Sequence, residues 1–173
     1  TDKSDGDVLF SLIKNANCPI IIDADGINLL CENKLILKEA KMPPILTPHP
    51  AEFARLTGKT VSQVQSDRIN LAKSFAHEYG CNLVLKGAST VIASPDGKLA
   101  VNTTGNPGLS KGGSGDVLAG LIASLCTQGI DSFESSVTAC YLHGKAADIL
   151  KEKIGEYGFL PSDLPMEIAK LLP

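Results

Sequence analysis

Tryptophan is absent from the chain, and aromatic residues of every kind are scarce. Together they make up 5% of the 173 residues. Proteins that bind single-stranded nucleic acids stack the bases on aromatic side chains, so this scarcity argues against such a surface. An excess of positive charge is also missing, because the formal net charge is −3 and the lysines are scattered. We therefore expect no nucleic acid among the partners of this protein.

Paired cysteine motifs are missing as well. Five cysteines, an odd number, stand far apart without a CxxC pair: Cys18, Cys31, Cys81, Cys126 and Cys140. Such spacing disfavours a zinc site or a disulfide framework and favours buried, reduced thiols in a cytoplasmic protein. No apolar run reaches the length of a membrane span, and no signal peptide is visible. We therefore expect no association with a membrane.

Short apolar runs and helical patterns alternate along the chain. Runs typical of strands lie at residues 19–23, 44–47, 82–86, 90–94 and 98–102, the last two around a Pro95-Asp96-Gly97 turn. Helical patterns lie at 8–15, 60–79, after 116, at about 133–153 and near the C-terminus. Thr60 and Gln63 form a capping box for the second of these helices, and Gly80 ends it. The alternation predicts an α/β fold with a mostly parallel sheet, and the length suits a single domain over residues 1–173.

Glycine is abundant, above all in residues 102–118, which we call the glycine-rich segment. Five glycines precede an aspartate there: Gly105, Gly108, Gly112, Gly113 and Gly115. A glycine-rich loop that leads into a helix offers free N–H groups and a positive dipole end to an anion. We expect Asn106, Gly112, Gly113 and Ser114 to bind a phosphate in this way. Neither GxxxxGK[ST] nor GxGxxG after a first strand occurs, so the segment is not one of those phosphate motifs.

Asp116 follows these glycines and admits two interpretations. Aspartate is favoured as a helix cap and in the first helical turn, and capping is its more frequent role. The alternative is a base beside the group that is transferred, since a carboxylate next to a phosphate otherwise repels it. A cap does not need five glycines, each of which costs backbone entropy on folding. The segment therefore favours the base.

Polar residues follow the first two predicted strands, and ligands bind at the carboxyl ends of such strands. Asp23, Asp25 and Asn28 have the chemistry to hold a metal or sugar hydroxyls, or else Asp25 or Asn28 caps the next helix. His49 stands between two prolines, which stiffen its backbone, and we interpret it as a ligand contact. Glu52, beside it, either orients a metal-bound water or begins a helix.

Lys86 follows the third strand and precedes a run of small residues, Gly87, Ala88, Ser89 and Thr90. A lysine at such a strand end suits a phosphate as a point charge, although a solvated lysine before a turn is the alternative. The three strand ends and the glycine-rich segment are all expected at one edge of the sheet.

Five segments, in this order and spacing, resemble one family: DADGIN, LTPHPAEFARL, LVLKGASTVI, NTTGNPGLSKGGSGDVLAGLIA and YLHGKAADI. They resemble the ADP- or ATP-dependent NAD(P)H-hydrate dehydratases, and the resemblance extends over essentially the whole chain. It implies a ribokinase-like, three-layer α/β/α fold and an enzyme, a lyase, that repairs hydrated NADH or NADPH (the S epimer). The nucleotide, assisted by Mg²⁺, would phosphorylate the added hydroxyl, and loss of the phosphate would restore the nicotinamide double bond.

The resemblance also implies roles for individual residues. His49 would contact the hydrated dinucleotide, and Asp116 would bind its hydroxyl and act as the catalytic base. Gly115 would contact the AMP portion of the nucleotide, and Glu52 would assist Mg²⁺ through a water. The phosphate or ribose of the nucleotide would be held by Lys86, Gly87, Ala88, Ser89 and Thr90.

The chain departs from the family pattern in small and large ways. DADALN reads DADGIN and HPGE reads HPAE, which puts little in doubt. Family members also carry further residues before the position that matches Thr1. The resemblance therefore implies the C-terminal two-thirds of a domain whose sheet is incomplete on its N-terminal side. We expect the missing part from a separate chain, from a neighbouring subunit or from a segment lost by cleavage. An epimerase domain or partner and a homo-oligomer are also expected.

Two other functions stay open. The first is a small-molecule kinase for a vitamin precursor, which has a similar glycine-rich loop. Such kinases carry Cys or Ala at the position that matches Asp116, or use a different Asp. They also lack the HPxE stretch. A non-catalytic nucleotide-binding fragment is the second alternative.

Overall fold

The computed structural model describes residues 3–172, which fall into two compact units. The first unit takes in the chain up to Gly87 together with Val91–Val101. The second takes in Ala88–Thr90 together with the chain from Asn102. Within the described residues, all the strands belong to the first unit, whereas the second is built from helices and loops. The α/β class expected from the sequence is confirmed.

The first unit contains a five-stranded sheet and five α-helices among the described residues. In chain order they are α1 (Lys3–Asn15), β1 (Ile21–Ile22), α2 (Asp25–Leu30), β2 (Ile45–Leu46), α3 (Pro50–Thr57), α4 (Val61–Ser66), α5 (Arg68–Tyr79), β3 (Asn82–Leu85), β4 (Val91–Ala93) and β5 (Leu99–Val101). A 3₁₀ helix, Lys34–Glu39, precedes β2. The strands lie in the order β1-β2-β3-β4-β5.

The sheet is mixed rather than mostly parallel. Strands β1, β2 and β3 run parallel, whereas β4 and β5 form an antiparallel hairpin with β3. Every residue of β2 and β3 is buried, which explains their continuous apolar runs. Because β1, β2 and β3 are parallel, their carboxyl ends meet at one edge of the sheet.

The predicted helix at 60–79 is interrupted. Thr60 and Gln63 form the expected capping box, and Gly80 ends α5 with a left-handed φ of 66°. Between them the chain leaves the helical conformation at Asp67, whose φ is −145°, so α4 and α5 are separate. The break places Arg68 at the start of α5.

The second unit contains α6 (Ser114–Thr127), α7 (Ser132–Ile154) and α8 (Leu164–Ala169), with 3₁₀ helices at Pro107–Leu109 and Pro161–Asp163. Asp131 caps α7 by accepting hydrogen bonds from the N–H groups of Phe133 and Glu134, at 3.0 and 3.4 Å. One buried apolar cluster of this unit is formed mostly by α7 and α8: Leu142, Ala146, Ala147, Leu150, Phe159, Leu164 and Ile168. Among residues 3–172, no helix combines the length and the apolar character that a membrane span needs.

All five cysteines are free. Cys81 and Cys140 are buried as expected, and burial raises the pKa of both thiols to about 12. Cys18 and Cys31 are exposed and Cys126 is partly buried, so the expectation of buried thiols holds for only two positions.

Candidate functional site

Lys86 and Asp23 form an ion pair at the edge of the sheet where β1, β2 and β3 end. Lys86 Nζ lies 2.8 Å from Asp23 Oδ1, and their side chains are only 21% and 17% exposed. Lys86 follows β3 and Asp23 follows β1, with the end of β2 between them. The expectation that these strand ends converge is thus confirmed within the first unit. The ammonium is held in a fixed place instead of moving freely in solvent.

Arg68 fixes the turn that follows Lys86. Its Nη2 donates to the carbonyl oxygens of Leu85 at 2.8 Å and Lys86 at 3.4 Å. Gly87 has a φ of +143°, and a Cβ on it would lie 2.6 Å from Nη1 of Arg68. Glycine is therefore required here both for the backbone conformation and for the space that the guanidinium occupies. Arg68 was not predicted, because the sequence pattern places it inside one continuous helix over 60–79 and hides the break before it.

The small residues after Gly87 belong to the second unit. Ala88 and Ser89 are exposed and Thr90 is partly buried. Ser89 has a φ of +57°, a left-handed conformation that non-glycine residues adopt rarely and that often marks functional turns. The predicted contacts of Ala88, Ser89 and Thr90 with a nucleotide stay predictions.

The DADGIN segment forms neither a cap nor a metal cluster. Helix α2 begins at Asp25, and its cap position is Ala24, with a φ of 48° and no side-chain capping bond. Asn28 instead donates to Asp25 Oδ1 at 3.3 Å, so the cap interpretation of either residue is wrong. The described part of the chain contains no cluster of three His, Cys, Asp or Glu side chains that could hold a metal.

His49 and Glu52 form a capping box at the start of α3. Nδ1 of His49 accepts hydrogen bonds from the N–H groups of Ala51 and Glu52, at 3.1 and 3.2 Å. Oε2 of Glu52 accepts in return from the backbone N–H of His49 at 2.7 Å. The His49-Pro50-Ala51-Glu52 spacing matches the capping-box pattern with histidine in place of serine or threonine. That pattern was the available signal for this role.

The capping box limits what the two side chains can do. Oε1 of Glu52 lies 3.3 Å from Nε2 of His49, and the Glu52 side chain is only 7% exposed. Both carboxylate oxygens thus face His49. Glu52 stands in the first turn of α3, which confirms the interpretation that it begins a helix. The His49 side chain is 47% exposed, so the ring can still touch a ligand. Its contact with a dinucleotide stays a prediction.

Asp116 does not cap the helix that follows the glycine-rich segment. The cap of α6 is Gly113, with a φ of 96° and no side-chain capping bond, and Asp116 stands in the first turn. Its carboxylate is exposed and forms no hydrogen bond or ion pair within residues 3–172. The N–H groups of Gly115 and Asp116 likewise donate to no acceptor in the described chain. An open carboxylate and two open donors therefore share one helix end.

Helix α7 holds the start of the glycine-rich segment. The carbonyls of Cys140 and Tyr141 accept hydrogen bonds from the side chains of Asn102 and Thr104, at 3.2 and 3.0 Å. Farther along the same helix, Asp148 accepts from the N–H of Gly105 at 2.9 Å. Sequence reasoning missed Asp148, and its position in the HGKAAD stretch, one helical turn after Gly144, was the only hint.

His143 and Ser114 are buried where α7 meets α6. They are 6% and 4% exposed. Within residues 3–172, Nε2 of His143 and Oγ of Ser114 have no hydrogen-bond partner. Burial lowers the pKa of His143 to about 4, and a hydrogen bond with the backbone of Ser114 acts in the opposite direction. His143 is thus a packing residue between the two helices, while Tyr141 is about half exposed.

The stability of the protein should fall in mild acid because of His143. Its folded-state pKa of about 4 lies below the ordinary 6.5, so the unfolded chain takes up the proton first as the pH falls. Above pH 6.5 His143 is neutral in both states and does not lower the free energy of unfolding. As the pH falls from 6.5 toward 4, the unfolded chain alone binds the proton, and stability is lost progressively. Between pH 7 and 5.5 we expect the free energy of unfolding to drop by about 1 kcal/mol more in the wild type than in His143→Asn.

Urea unfolding at the two pH values measures this difference. His77→Asn is the matched control, because His77 is exposed. Equal pH dependence in the wild type and in His143→Asn would show that His143 does not carry the effect.

Comparison with known proteins identifies the relatives of this chain. A family model described as NAD(P)H-hydrate dehydratase matches residues 2–170. The ADP-dependent (S)-NAD(P)H-hydrate dehydratase of Neisseria meningitidis is 46% identical over 147 residues, which cover 83% of this chain and 49% of the relative. A bifunctional NAD(P)H-hydrate repair enzyme of Moorella thermoacetica is 41% identical over 94% of this chain and 31% of its own length.

A solved structure agrees with these matches. The ADP/ATP-dependent NAD(P)H-hydrate dehydratase of Bacillus subtilis, co-crystallised with ATP/Mg²⁺, is similar with a TM-score of 0.82 and 36% identity. The match covers 92% of this chain and 56% of that one. The ribokinase-like fold implied by the sequence is therefore confirmed. The chain spans about half the length of the dehydratases it matches and about a third of the bifunctional enzyme.

Proposed function

The chain belongs to the NAD(P)H-hydrate dehydratase family, and from this premise we propose that the complete protein uses ADP or ATP to dehydrate hydrated NADH or NADPH. The S epimer is the proposed substrate, as in the relative from Neisseria meningitidis. The observation that carries the proposal is the open carboxylate of Asp116 beside two open N–H donors at the glycine-rich start of α6. A phosphoryl transfer to a hydroxyl needs both kinds of group.

The second unit supplies the groups for the transfer itself. The hydroxyl oxygen of the hydrated nicotinamide attacks the terminal phosphorus of the nucleotide. The bond from that phosphorus to the bridging oxygen breaks, so AMP leaves from ADP, or ADP from ATP. Asp116 accepts the hydroxyl proton, which makes that oxygen a competent nucleophile. The N–H groups at the start of α6 stabilise the charge on the transferring group. Phosphate then leaves with the electron pair of its bond to carbon, the neighbouring carbon gives up a proton to water, and the electrons of that carbon–hydrogen bond restore the ring double bond.

Other residues of the glycine-rich segment are proposed to bind the nucleotide. Gly112 and Gly113 have no side chains, so a phosphate can approach the backbone closely. Asn106 and Ser114 complete this phosphate loop, and Gly115 contacts the AMP portion.

The first unit supplies Lys86 and Gly87 for the nucleotide and His49 for the hydrated dinucleotide. Lys86 is placed by its ion pair with Asp23, and Arg68 fixes the turn after it, so the ammonium is oriented before a ligand arrives. Such preorganisation reduces the entropy lost on binding. In the second unit, Ala88, Ser89 and Thr90 are proposed as separate contacts of the nucleotide.

Mg²⁺ is proposed as the ion that accompanies the phosphates of the nucleotide. Magnesium in such enzymes is held largely by the phosphates and water, with few protein ligands. The described residues do not form a protein cage for it, and both oxygens of Glu52 face His49. No described residue is therefore proposed as a direct ligand of the ion. A role for Glu52 through a water stays a prediction.

The complete protein is proposed to contain more than the stretch matched here. Because that stretch is about half the length of the dehydratase relatives, we propose that it forms the C-terminal part of one domain. Segments elsewhere would then hold the far side of the substrate. An epimerase, fused or separate, is a proposed partner, since similar enzymes are bifunctional. We further propose a homo-oligomer that acts in the cytoplasm.

The proposal is tested by incubating the complete protein with hydrated NADH and either ADP or ATP, each with Mg²⁺. We expect the absorbance of reduced nicotinamide to return with at least one nucleotide and not without nucleotide. A kinase for another small molecule would give no such return, and neither would a non-catalytic binding protein. Absence of recovery with both nucleotides would contradict the proposed function.

A further inference from the structure

The carboxylate of Asp148 binds two neighbouring parts of the glycine-rich segment at once. Oδ2 accepts the backbone N–H of Gly105 at 2.9 Å, and Oδ1 accepts the side-chain amide of Asn106 at 3.0 Å. Asp148 lies 43 and 42 positions away from these residues in the chain. A single carboxylate therefore orients a backbone amide and a side-chain amide together.

Asn106 passes this orientation along the segment. Its amide nitrogen is engaged by Asp148, so its carbonyl oxygen Oδ1 points to the N–H of Gly108 at 3.0 Å. This contact caps the 3₁₀ helix Pro107–Leu109. Gly108 is packed tightly as well, because a Cβ on it would lie 2.6 Å from the ring of Phe159. Asp148 thus determines the orientation of the Asn106 amide, with Nδ2 toward Asp148 and Oδ1 toward Gly108.

The close approach of α7 makes these bonds possible. A Cβ on Gly144 would lie 2.6 Å from the backbone carbon of Thr104, so only glycine lets the segment lie against the helix. Gly105 has a left-handed φ of 104°, which turns its N–H toward Asp148. Gly144 and Asp148 are one helical turn apart and share a face of α7.

We infer that Asp148 is a positioning residue, which holds Gly105 and Asn106 in the conformation that binds the phosphates of an adenine nucleotide. The inference rests on the proposed function for the identity of the ligand. Asp148 does not contact the nucleotide itself. It acts only through the backbone amide of Gly105 and the side-chain amide of Asn106. An ionised carboxylate suits this task because both of its oxygens accept, and each bond to it is charge-assisted.

Asp148→Asn tests the inference, because asparagine has only one accepting oxygen for the two donors. We expect the affinity for ADP with Mg²⁺, measured by calorimetry, to fall about tenfold. Hydrogen exchange at the Gly105 amide should accelerate. In turnover, the KM for the nucleotide should rise more than kcat falls. Glu152→Gln is the matched control, since Glu152 is exposed one turn farther along α7, and it should leave all four quantities unchanged.

A double variant separates positioning from a merely structural contribution. In Asp148→Asn with Asn106→Asp, the carboxylate and the amide exchange places, so the N–H groups of Gly105 and Gly108 keep side-chain oxygens as acceptors. Only the bond between the two side chains reverses its direction, and the net charge is unchanged. We expect this variant to recover slow exchange at Gly105, whereas the affinity for ADP stays low because residue 106 of the phosphate loop now carries a carboxylate. Thermal denaturation of both variants checks that they are folded.

The outcomes are distinct. Unchanged affinity and exchange in Asp148→Asn would overturn the inference. It would also be overturned if Asp148→Asn lost affinity while exchange at Gly105 stayed as slow as in the wild type, or if the Gly105 amide of the double variant exchanged as fast as that of the single variant. A wild type that binds ADP but restores no reduced nicotinamide refutes the dehydratase proposal alone. The role of Asp148 is then still decided by the binding and exchange measurements.

Discussion

Asp116→Asn is expected to lower the turnover of hydrated NADH by about a thousandfold or more and to leave nucleotide affinity within about threefold of the wild type. Asparagine has nearly the same shape but cannot accept the hydroxyl proton. The carboxylate caps nothing and forms no ion pair within residues 3–172, so its replacement removes little stability. Single-turnover kinetics with saturating nucleotide measure the chemical step, and calorimetry measures the affinity.

Glu134→Gln is the matched control for this prediction. Glu134 stands in the first turn of α7, as Asp116 does in α6, and both interact with a helix dipole. The control should lower the free energy of unfolding by at most about 1 kcal/mol and leave turnover unchanged. If Asp116→Asn retains turnover within tenfold of the wild type, the carboxylate is only a first-turn residue and the base lies elsewhere.

The second large effect is expected at Lys86. Lys86→Met should weaken the affinity for ADP or ATP by about a hundredfold, because a charge-assisted contact with a phosphate is lost. It should also lower the free energy of unfolding by about 1–2 kcal/mol, since the carboxylate of Asp23 is left without its partner in a mostly buried place. Calorimetry and urea unfolding measure the two effects.

A double variant, Asp23→Asn with Lys86→Met, separates these two effects. It removes both charges of the pair, so we expect stability to return toward the wild type while nucleotide affinity stays low. The control Lys14→Met breaks an exposed pair with Glu39, 48% and 56% exposed, and should change neither quantity by much. Full affinity in Lys86→Met would remove Lys86 from the nucleotide site.

The sequence predicted features that depend on neighbours along the chain. The capping box of Thr60 and Gln63, the glycine end of α5 and the helix after the glycine-rich segment all follow local rules. The buried strands β2 and β3 were also predictable, because continuous apolar runs mark strands covered on both faces. Local propensity did not reveal the break at Asp67, which interrupts an otherwise helical pattern.

Residues that act across long distances in the chain escaped prediction. Arg68 binds carbonyls 17 and 18 positions away, and Asp148 binds amides more than forty positions away. In a window of neighbouring residues Arg68 looks like a solvated charge, and Asp148 differs from one only by its position one helical turn after Gly144. His49 was assigned only a ligand role, because the usual capping residues are serine, threonine, aspartate and asparagine.

Gly87 has no side chain, and the space that this leaves is used by Arg68. The volume that a Cβ at position 87 would fill is occupied by the guanidinium of a residue on another element. Because that guanidinium ends a flexible side chain, a methyl group at 87 would displace it more readily than it would shift the backbone. A substitution at position 87 would therefore strain the backbone at its positive φ and also move Arg68 away from the carbonyls of Leu85 and Lys86.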